Sequence, residues 1–350
     1  MNNSIDTNGQ RLKSICQTAV TRLGLNLTGL TVVTELASGL YAVTPLIALL
    51  AGAKRVICLG QDTAYGTFNE LADDLYKLAN SWGLPRPIIT DNRFDPVLKG
   101  ADIVTNLGMV RPLDKQLLSF IGAQAVVPYM CEAWEYREGD VDLEACIQLG
   151  IPVMGTDESH SSVGVFQYCG MLAVKMILEA GFEVLGNRIA IVSSDRFGLT
   201  IRETLSQNGA LVQLFTDVED YSDIERQSWD VIIVAEYVKR ECVLGKTGLI
   251  SGGRLVKLLK RQPTIVQFAG WNQICELKKY QCRIHPQVEL SPLRMAKTLS
   301  YLGPYPIVLL HTAGLLVGEK MAQAKKQGMT RSDFNEFVIS RSPAQPILTF

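Results

Sequence analysis

The chain has 350 residues, of which 47% are hydrophobic and 20% are charged, and its 34 basic and 35 acidic residues leave a formal net charge of -1. This length predicts two domains, and the even charge balance argues against a nucleic-acid-binding protein, which needs a basic surface. The N-terminal residues MNNSIDTNGQ lack the layout of a signal peptide, and the longest apolar run, residues 40–53, is too short to span a bilayer. We therefore expect a cytoplasmic protein that binds neither nucleic acid nor a membrane.

The cysteines and histidines favour neither disulfides nor a bound metal. The eight cysteines are scattered without a C-x-x-C pair, and most have apolar neighbours, as reduced core thiols do. The three histidines, at positions 160, 285 and 311, do not have the spacing of a histidine-based metal site. We expect no metal cofactor.

Short apolar runs rich in β-branched residues alternate with longer amphipathic stretches along almost the whole chain, which is typical of βαβ units. The predicted strands are residues 30–36, 55–59, 87–90, 103–106, 125–129, 152–154, 188–192, 211–215, 231–235, 265–268 and 307–310. Predicted helices between them include residues 67–82, 142–149 and 198–208. The predicted fold class is therefore α/β, with two doubly wound Rossmann-like domains built on parallel sheets.

Two largely apolar helices, residues 161–180 and 312–327, are predicted where the two halves of the chain join. Such a pair would carry the C-terminal segment back to the first domain, so that the second domain is inserted in the first. The predicted domains are a flavodoxin-like substrate domain, residues 1–158 plus 312–350, and a Rossmann-like nucleotide-binding domain, residues 159–311. The working site is expected in the cleft between them.

Polar loops that follow predicted strands mark candidate substrate-binding residues in the first domain. The loop of residues 34–41 contains Glu35, Ser38 and Tyr41 and opens a helix, so that its free N–H groups suit an anion. An ordinary βα turn is the alternative. Arg111, which follows another strand, is the best partner in this half for a carboxylate or phosphate.

Two further polar clusters follow the strands 125–129 and 152–154. The carboxyl ends of strands in an open α/β sheet face the binding crevice, so these clusters are predicted to belong to the site. The first contains Glu132, Trp134 and Glu135, and the second contains Asp157, Glu158 and His160. Helix capping by Asp157 explains part of the second cluster. We predict proton transfer for Glu132, Glu135 or Glu158 and substrate binding for Trp134, Asp157 and His160.

The part of the chain from about residue 100 to residue 314 resembles a known family. The segments that carry the resemblance are DVDLEACIQLGIPV (140–153), NRIAIVSSDRFGLTIRETLSQNGALVQLF (187–215), WDVIIVAEY (229–237) and PIVLLHTAG (306–314). In this order they resemble the D-isomer-specific 2-hydroxyacid dehydrogenases and, more distantly, the S-adenosylhomocysteine hydrolases. The resemblance implies an NAD- or NADP-binding domain, a homodimer, and a catalytic histidine at the end of a strand, which here is His311. A satisfied core histidine is the alternative for His311.

The chain departs from that family at the nucleotide loop. Where the family has G-x-G-x-x-G after the first strand of the nucleotide domain, this chain has Ser193-Ser194-Asp195-Arg196-Phe197-Gly198, so that only the last glycine is retained. Asp195 would place a carboxylate against the phosphates, or would simply cap the following helix. Asp217, about 20 residues further on, stands where an acidic residue holds a ribose. The cofactor-binding residues implied by the resemblance are Ser193, Asp195, Arg196, Phe197, Gly198 and Asp217.

A second departure concerns the substrate. The family's catalytic arginine follows the strand predicted at residues 265–268, where this chain has Ala269-Gly270-Trp271. Two hypotheses remain. The first is an NAD(P)-dependent oxidoreductase acting on a small polar, carboxylate-bearing substrate, with His311 and one of the glutamates as proton-transfer groups. The second is a nucleotide-independent biosynthetic enzyme or ligand-binding protein that keeps the scaffold and uses the first domain.

Overall fold

The structure is a computed structural model that describes residues 9–217 and 220–347, so the expectation about a leader at residues 1–8 lies outside it. The helices are α1 (Gly9–Leu23), α2 (Val43–Leu50), α3 (Phe68–Ser81), α4 (Lys115–Ile121), α5 (Leu143–Leu149), α6 (Tyr168–Glu179), α7 (Arg196–Gln207), α8 (Gly252–Leu259), α9 (Ile274–Lys278), α10 (Pro304–Lys326) and α11 (Arg331–Ile339). The strands are β1 (Thr31–Glu35), β2 (Arg55–Leu59), β3 (Ile88–Thr90), β4 (Ile103–Val104), β5 (Val127–Pro128), β6 (Val153–Thr156), β7 (Arg188–Val192), β8 (Leu211–Phe215), β9 (Val231–Ala235), β10 (Thr264–Ala269), β11 (Ile284–His285) and β12 (Ala344–Pro346).

The chain divides into two compact units. Unit 1 consists of Met1–Val165 and Gly303–Phe350, and unit 2 of Phe166–Leu302. Unit 2 therefore interrupts unit 1 in sequence. The junctions fall after residues 165 and 302, whereas the sequence-based division places them after residues 158 and 311.

The sheet of unit 1 has the strand order β3-β2-β1-β4, and a parallel bridge between Ile103 and Val126 leads on to β5, β6 and β12. The paired strands from β1 to β6 are parallel, and β12 joins β6 antiparallel. The strand order reverses between β1 and β4. In open α/β sheets this reversal opens a crevice outside the carboxyl ends of the two strands.

Every residue of β1 is buried, as a strand covered on both faces of a parallel sheet must be. One face of the unit 1 sheet packs on α4 and α5 through a continuous apolar cluster that includes Val33, Ile57, Leu117 and Cys146. The long helix α10 contacts β4, β5 and β6. These helices therefore pack on the strands whose ends carry the polar loops.

Unit 2 contains a parallel sheet with the order β11-β10-β9-β7-β8. Its order reverses between β7 and β9, so the corresponding crevice lies at the ends of these two strands. The strands β7, β8 and β9 begin and end at the predicted residues, and each is a short β-branched or apolar run. The predicted α/β class with parallel sheets is confirmed.

The prediction of a strand at residues 307–310 is wrong. These residues lie in α10, where Ile307, Val308 and Leu309 are buried. A short apolar run does not distinguish a strand from a buried helix, since both are apolar on every side. His311 consequently lies inside a helix and not at the end of a strand.

Within residues 9–217 and 220–347, no helix has the length and apolar character that crossing a membrane requires. The same part of the chain contains no group of three or more histidine, cysteine, aspartate or glutamate residues placed to hold a metal ion.

Candidate functional site

Four buried polar side chains lie at the carboxyl edge of the unit 1 sheet. Glu35 is the last residue of β1, Asn106 follows β4, Glu132 follows β5 and Glu158 follows β6. Because parallel strands end at the same edge, residues far apart in sequence converge there. Glu35 and Asn106 flank the point where the strand order reverses.

Glu35 is the best candidate for proton transfer. Its side chain is 5% exposed, and its Oε2 accepts a hydrogen bond of 3.4 Å from the backbone N–H of Met109. Burial raises the pKa of Glu35 to about 7, against the opposing influence of the Met109 and Gly108 N–H groups and of the Arg111 charge. Near neutral pH this carboxyl is therefore divided between its two protonation states, which suits an acid–base group.

The backbone at Gly108 leaves room for the Glu35 carboxyl. A Cβ at residue 108 would lie 2.8 Å from Oε2 of Glu35, closer than such contacts come. A larger residue there would displace the carboxyl or lose its hydrogen bond. Glycine at this position is thus part of the site, although it was not among the residues predicted from the sequence.

Arg111 lies close enough to Glu35 for its charge to act on that carboxyl. Its Nη1 donates to Oδ2 of Asp140 at 2.9 Å, and the side chain is partly exposed. A guanidinium carries five donor hydrogens in a planar fork, so the pairing with Asp140 leaves donors that suit a bound carboxylate. The structure thus brings together the predicted residues Glu35 and Arg111.

Two of the predicted glutamates are adjacent at the ends of β5 and β6. Oε1 of Glu132 accepts a hydrogen bond of 3.2 Å from the backbone N–H of Glu158. Next to Glu132, burial and the charges of Glu135 and Glu158 raise the pKa of the Cys131 thiol well above its usual value. This thiol is therefore protonated at neutral pH and is a poor nucleophile.

The remaining substrate-binding predictions are spread along the same unit. Ser38 precedes a short 3-10 helix, Trp134 lies partly exposed in another, and Oδ1 of Asp157 accepts from the backbone N–H of Ser159 at 2.9 Å. The exposed His160 bonds the hydroxyl of Ser162 at 2.8 Å. These contacts are local. The helix-capping alternative for Asp157 is wrong, because α6 begins only at Tyr168 and has Gln167 at its N-cap.

His311 is enclosed by α10 and α2. It is 3% exposed, its Nδ1 lies 2.5 Å from Oγ1 of Thr44, and the ring of Tyr41 has its centroid 6.0 Å away. Burial lowers the pKa of His311 to about 4, so the imidazole is neutral at pH 7. Protonating it there costs about 4 kcal/mol. The geometry favours the alternative of a satisfied core histidine.

In unit 2, side chains of the predicted nucleotide loop, residues 193–198, accept hydrogen bonds from the loop's own backbone N–H groups. Asp195 caps α7: its Oδ1 accepts from the N–H of Phe197 at 2.9 Å and its Oδ2 accepts from the N–H of Tyr237 at 2.8 Å. Oγ of Ser193 accepts from the N–H of Gly198 at 3.1 Å. Burial raises the pKa of Asp195 to about 6. The N–H groups of Phe197 and Gly198, at the point where dinucleotide loops bind phosphate, are thus already hydrogen-bonded.

A second carboxylate, Glu236, completes this closure. It follows β9 directly, is 0% exposed, and accepts from the N–H and the hydroxyl of Ser194 at 2.8 and 2.7 Å. The Tyr221 hydroxyl donates to it at 3.1 Å, and Nζ of Lys239 lies 3.4 Å away. Glu236 was not among the residues predicted from the sequence, although an acidic residue directly after the predicted strand 231–235 is the kind of signal that selected Glu35.

The other residues predicted for a cofactor lie around the same strand ends. A Cβ at residue 198 would lie 2.6 Å from Cβ of Ser193, so the retained glycine allows α7 to pack on its strand. The ring of Phe197 stacks on that of Phe166 at 5.1 Å, and the Arg196 guanidinium lies 5.0 Å from the same Phe166 ring. Asp217 is exposed just beyond β8. Cofactor binding by these residues stays a prediction.

No family model and no curated protein matches the sequence. Solved structures do. The A chain of dipicolinate synthase from Bacillus subtilis is similar with a TM-score of 0.56 at 11% identity, over 87% of this chain and 99% of that one. The dipicolinate synthase chain from Bacillus halodurans has a TM-score of 0.50 at 13% identity, over 82% and 96%. NAD+-bound 3-phosphoglycerate dehydrogenase from Entamoeba histolytica has a TM-score of 0.44 at 12% identity, over 86% of this chain and 97% of that one.

The first two similarities extend over most of both chains and establish the fold. They confirm the fold predicted from the sequence and show the fold alone. At such low identity, fold does not carry chemistry with it.

Proposed function

We propose that the chain is an enzyme that carries out acid–base chemistry on a small polar, carboxylate-bearing molecule at the carboxyl edge of unit 1. The observation that carries the proposal is Glu35, a buried carboxyl at the strand-order reversal with a pKa raised to about 7. Groups with strongly perturbed pKa values at such an edge are characteristic of active sites.

The neighbours of Glu35 support the assignment of roles. Glu35 transfers the proton, since a group with a pKa near the working pH combines the right protonation state with a useful driving force. Arg111 supplies positive charge for the substrate carboxylate through donors not directed at Asp140. The N–H groups of Gly108 and Met109 hold the Glu35 carboxyl in place.

The proposed chemistry does not use a dinucleotide on residues 193–198. The Glu236 carboxylate accepts a hydrogen bond from the N–H of Ser194 in that loop. The Asp195 carboxylate accepts hydrogen bonds from the N–H groups of Phe197 and Tyr237. A pyrophosphate brought against them would meet like charges, which cost about 1 kcal/mol per pair at 4 Å even in bulk water and more in a site that excludes water. This favours the nucleotide-independent hypothesis.

A thermal-shift screen of small mono- and dicarboxylates tests the proposal. A ligand at a hundred times its dissociation constant adds about 2.7 kcal/mol of stability. The Glu35→Gln variant should abolish the pH dependence of binding near pH 7, while Glu138→Gln, which changes an exposed glutamate of the same unit, should retain it. Binding that is identical in the wild type and in Glu35→Gln at every pH would contradict the proposal.

An NAD(P)-linked oxidoreductase is the second candidate. It is favoured by the fold shared with the two dipicolinate synthase chains and by Gly198 and Asp217, which stand at the positions of a dinucleotide site. Isothermal titration with NAD+, NADH, NADP+ and NADPH decides between the two, since a dissociation constant below the millimolar range for any of them favours this candidate. The homodimer implied by the resemblance is likewise a proposal, which light scattering of the purified protein tests.

A further inference from the structure

We propose that Glu236 is a built-in anion that excludes phosphate-bearing ligands from the strand-order reversal of unit 2. Its carboxylate accepts the hydrogen bonds that the surrounding donors would otherwise give to an anionic group of a ligand. The unit would then select against nucleotides and phosphorylated molecules at this point. Glu236 acts here as a specificity-determining residue.

The donors around Glu236 form a complete anion seat. They comprise a backbone N–H and a hydroxyl from Ser194, the phenol of Tyr221 and the ammonium of Lys239. The two Ser194 bonds are short and involve both carboxylate oxygens. An acidic side chain with no solvent exposure requires such complete partnering, because an unpaired buried charge is very costly.

The position of the seat argues for a role in selectivity. Ser194 belongs to the loop between β7 and α7, which is where phosphates bind in dinucleotide folds. Strand β9 lies beside β7 and delivers Glu236 to this loop from across the reversal. Glu236 reaches the seat because it follows its strand directly, without intervening loop residues.

A second carboxylate strengthens the exclusion. Asp195, next to Ser194, spans from the start of α7 to the N–H of Tyr237, the residue that follows Glu236. Any phosphate approaching Ser194 therefore faces two carboxylates and one ammonium. Lys239, whose ammonium lies 3.4 Å from Glu236, offsets one of the two negative charges.

Inorganic pyrophosphate is the probe, with affinities measured by isothermal titration on the full chain. The wild type should not bind it at millimolar concentration. Glu236→Ala and Glu236→Gln should each bind it at least tenfold more tightly, because the like charge is gone and Lys239 lacks its partner. Glu241→Gln removes an exposed charge from the segment that follows β9, which also contains Glu236, and should behave as the wild type.

The double variant Glu236→Gln with Ser194→Ala locates the gained site. It should lose most of the gain, since the hydroxyl donor is absent. If Glu236→Ala does not fold, Glu236→Gln decides alone, because its amide oxygen can still accept from Ser194. The proposal is overturned if the wild type already binds pyrophosphate as tightly as the variants, if no folded variant gains affinity, or if the double variant retains the gain.

The inference rests on the proposed function only in assuming that this loop holds no dinucleotide. The carboxylate binding that tests Glu35 is measured in the same variants and should be unchanged by Glu236→Gln. If neither the wild type nor any variant binds a carboxylate, the unit 1 proposal is overturned and the pyrophosphate result is unaffected. A failure of the pyrophosphate test leaves the Glu35 assignment intact.

Discussion

The raised pKa of Glu35 makes the stability of the protein depend on pH in a defined direction. Below its ordinary pKa of 4.5 the carboxyl is protonated both folded and unfolded, so the burial costs little. Between pH 4.5 and about 7 the unfolded chain releases the proton and the folded chain retains it, so the folded state loses stability as pH rises. Above about pH 7 both states are ionised and the loss levels off.

The size of this effect follows from the displacement of the pKa. Moving a carboxyl pKa from 4.5 to about 7 corresponds to about 3 kcal/mol at 1.36 kcal/mol per pH unit. Glutamine at position 35 preserves the shape and an acceptor oxygen for the Met109 N–H but does not titrate. The free energy of unfolding of Glu35→Gln minus that of the wild type should therefore rise by about 3 kcal/mol between pH 4.5 and pH 8.

Urea unfolding at pH 4.5, 6, 7 and 8 measures that difference directly. Other titrating groups are common to both proteins and cancel in it. Glu138→Gln provides the matched control, because Glu138 is exposed and its replacement should give a flat difference across the same range. A flat difference for Glu35→Gln as well would refute the argument that burial governs this carboxyl.

Three further substitutions or titrations test other parts of the structure. His311 should show no imidazole titration between pH 5 and 8 in NMR spectra, because burial lowers its pKa to about 4, and a midpoint near 6.5 would contradict this. Gly198→Ala should lower the free energy of unfolding by about 1–3 kcal/mol through overpacking against Ser193, whereas an unchanged urea midpoint would rule out the close packing. Thr67→Ala should cost about 1 kcal/mol by removing the capping box with Glu70, and no loss in thermal unfolding would show that the cap is not formed.

The strands of both sheets were largely predictable because their signal is local. Arg55–Leu59, Arg188–Val192 and Val231–Ala235 are β-branched apolar runs whose ends match the prediction. The helix α3 was equally accessible, since it was predicted to begin at Thr67, which the structure shows as its N-cap in a capping box with Glu70. The run 307–310 was predicted as a strand because a short apolar run has the same character in a strand and in a buried helix. Only its packing in the folded protein distinguishes the two.

The candidate site was predictable in part. Glu35 and Arg111 were selected because they follow strands, and the structure places them within electrostatic reach of each other. Glu236 was missed because its role depends on Ser194, 42 residues earlier in the chain. The resemblance placed catalysis on His311, where the surrounding helices leave a neutral, buried ring.

The sequence by itself determined the α/β class, the position of most strands and the polar residues that follow them, because these depend on short-range hydrophobic pattern and turn chemistry. The tertiary structure decided which of those polar residues meet, since strand order is set by packing and joins residues distant in the chain. It also decided their charge states, because burial is a property of the folded molecule: it favours a protonated Glu35, keeps His311 neutral, and requires hydrogen-bond donors around Glu236.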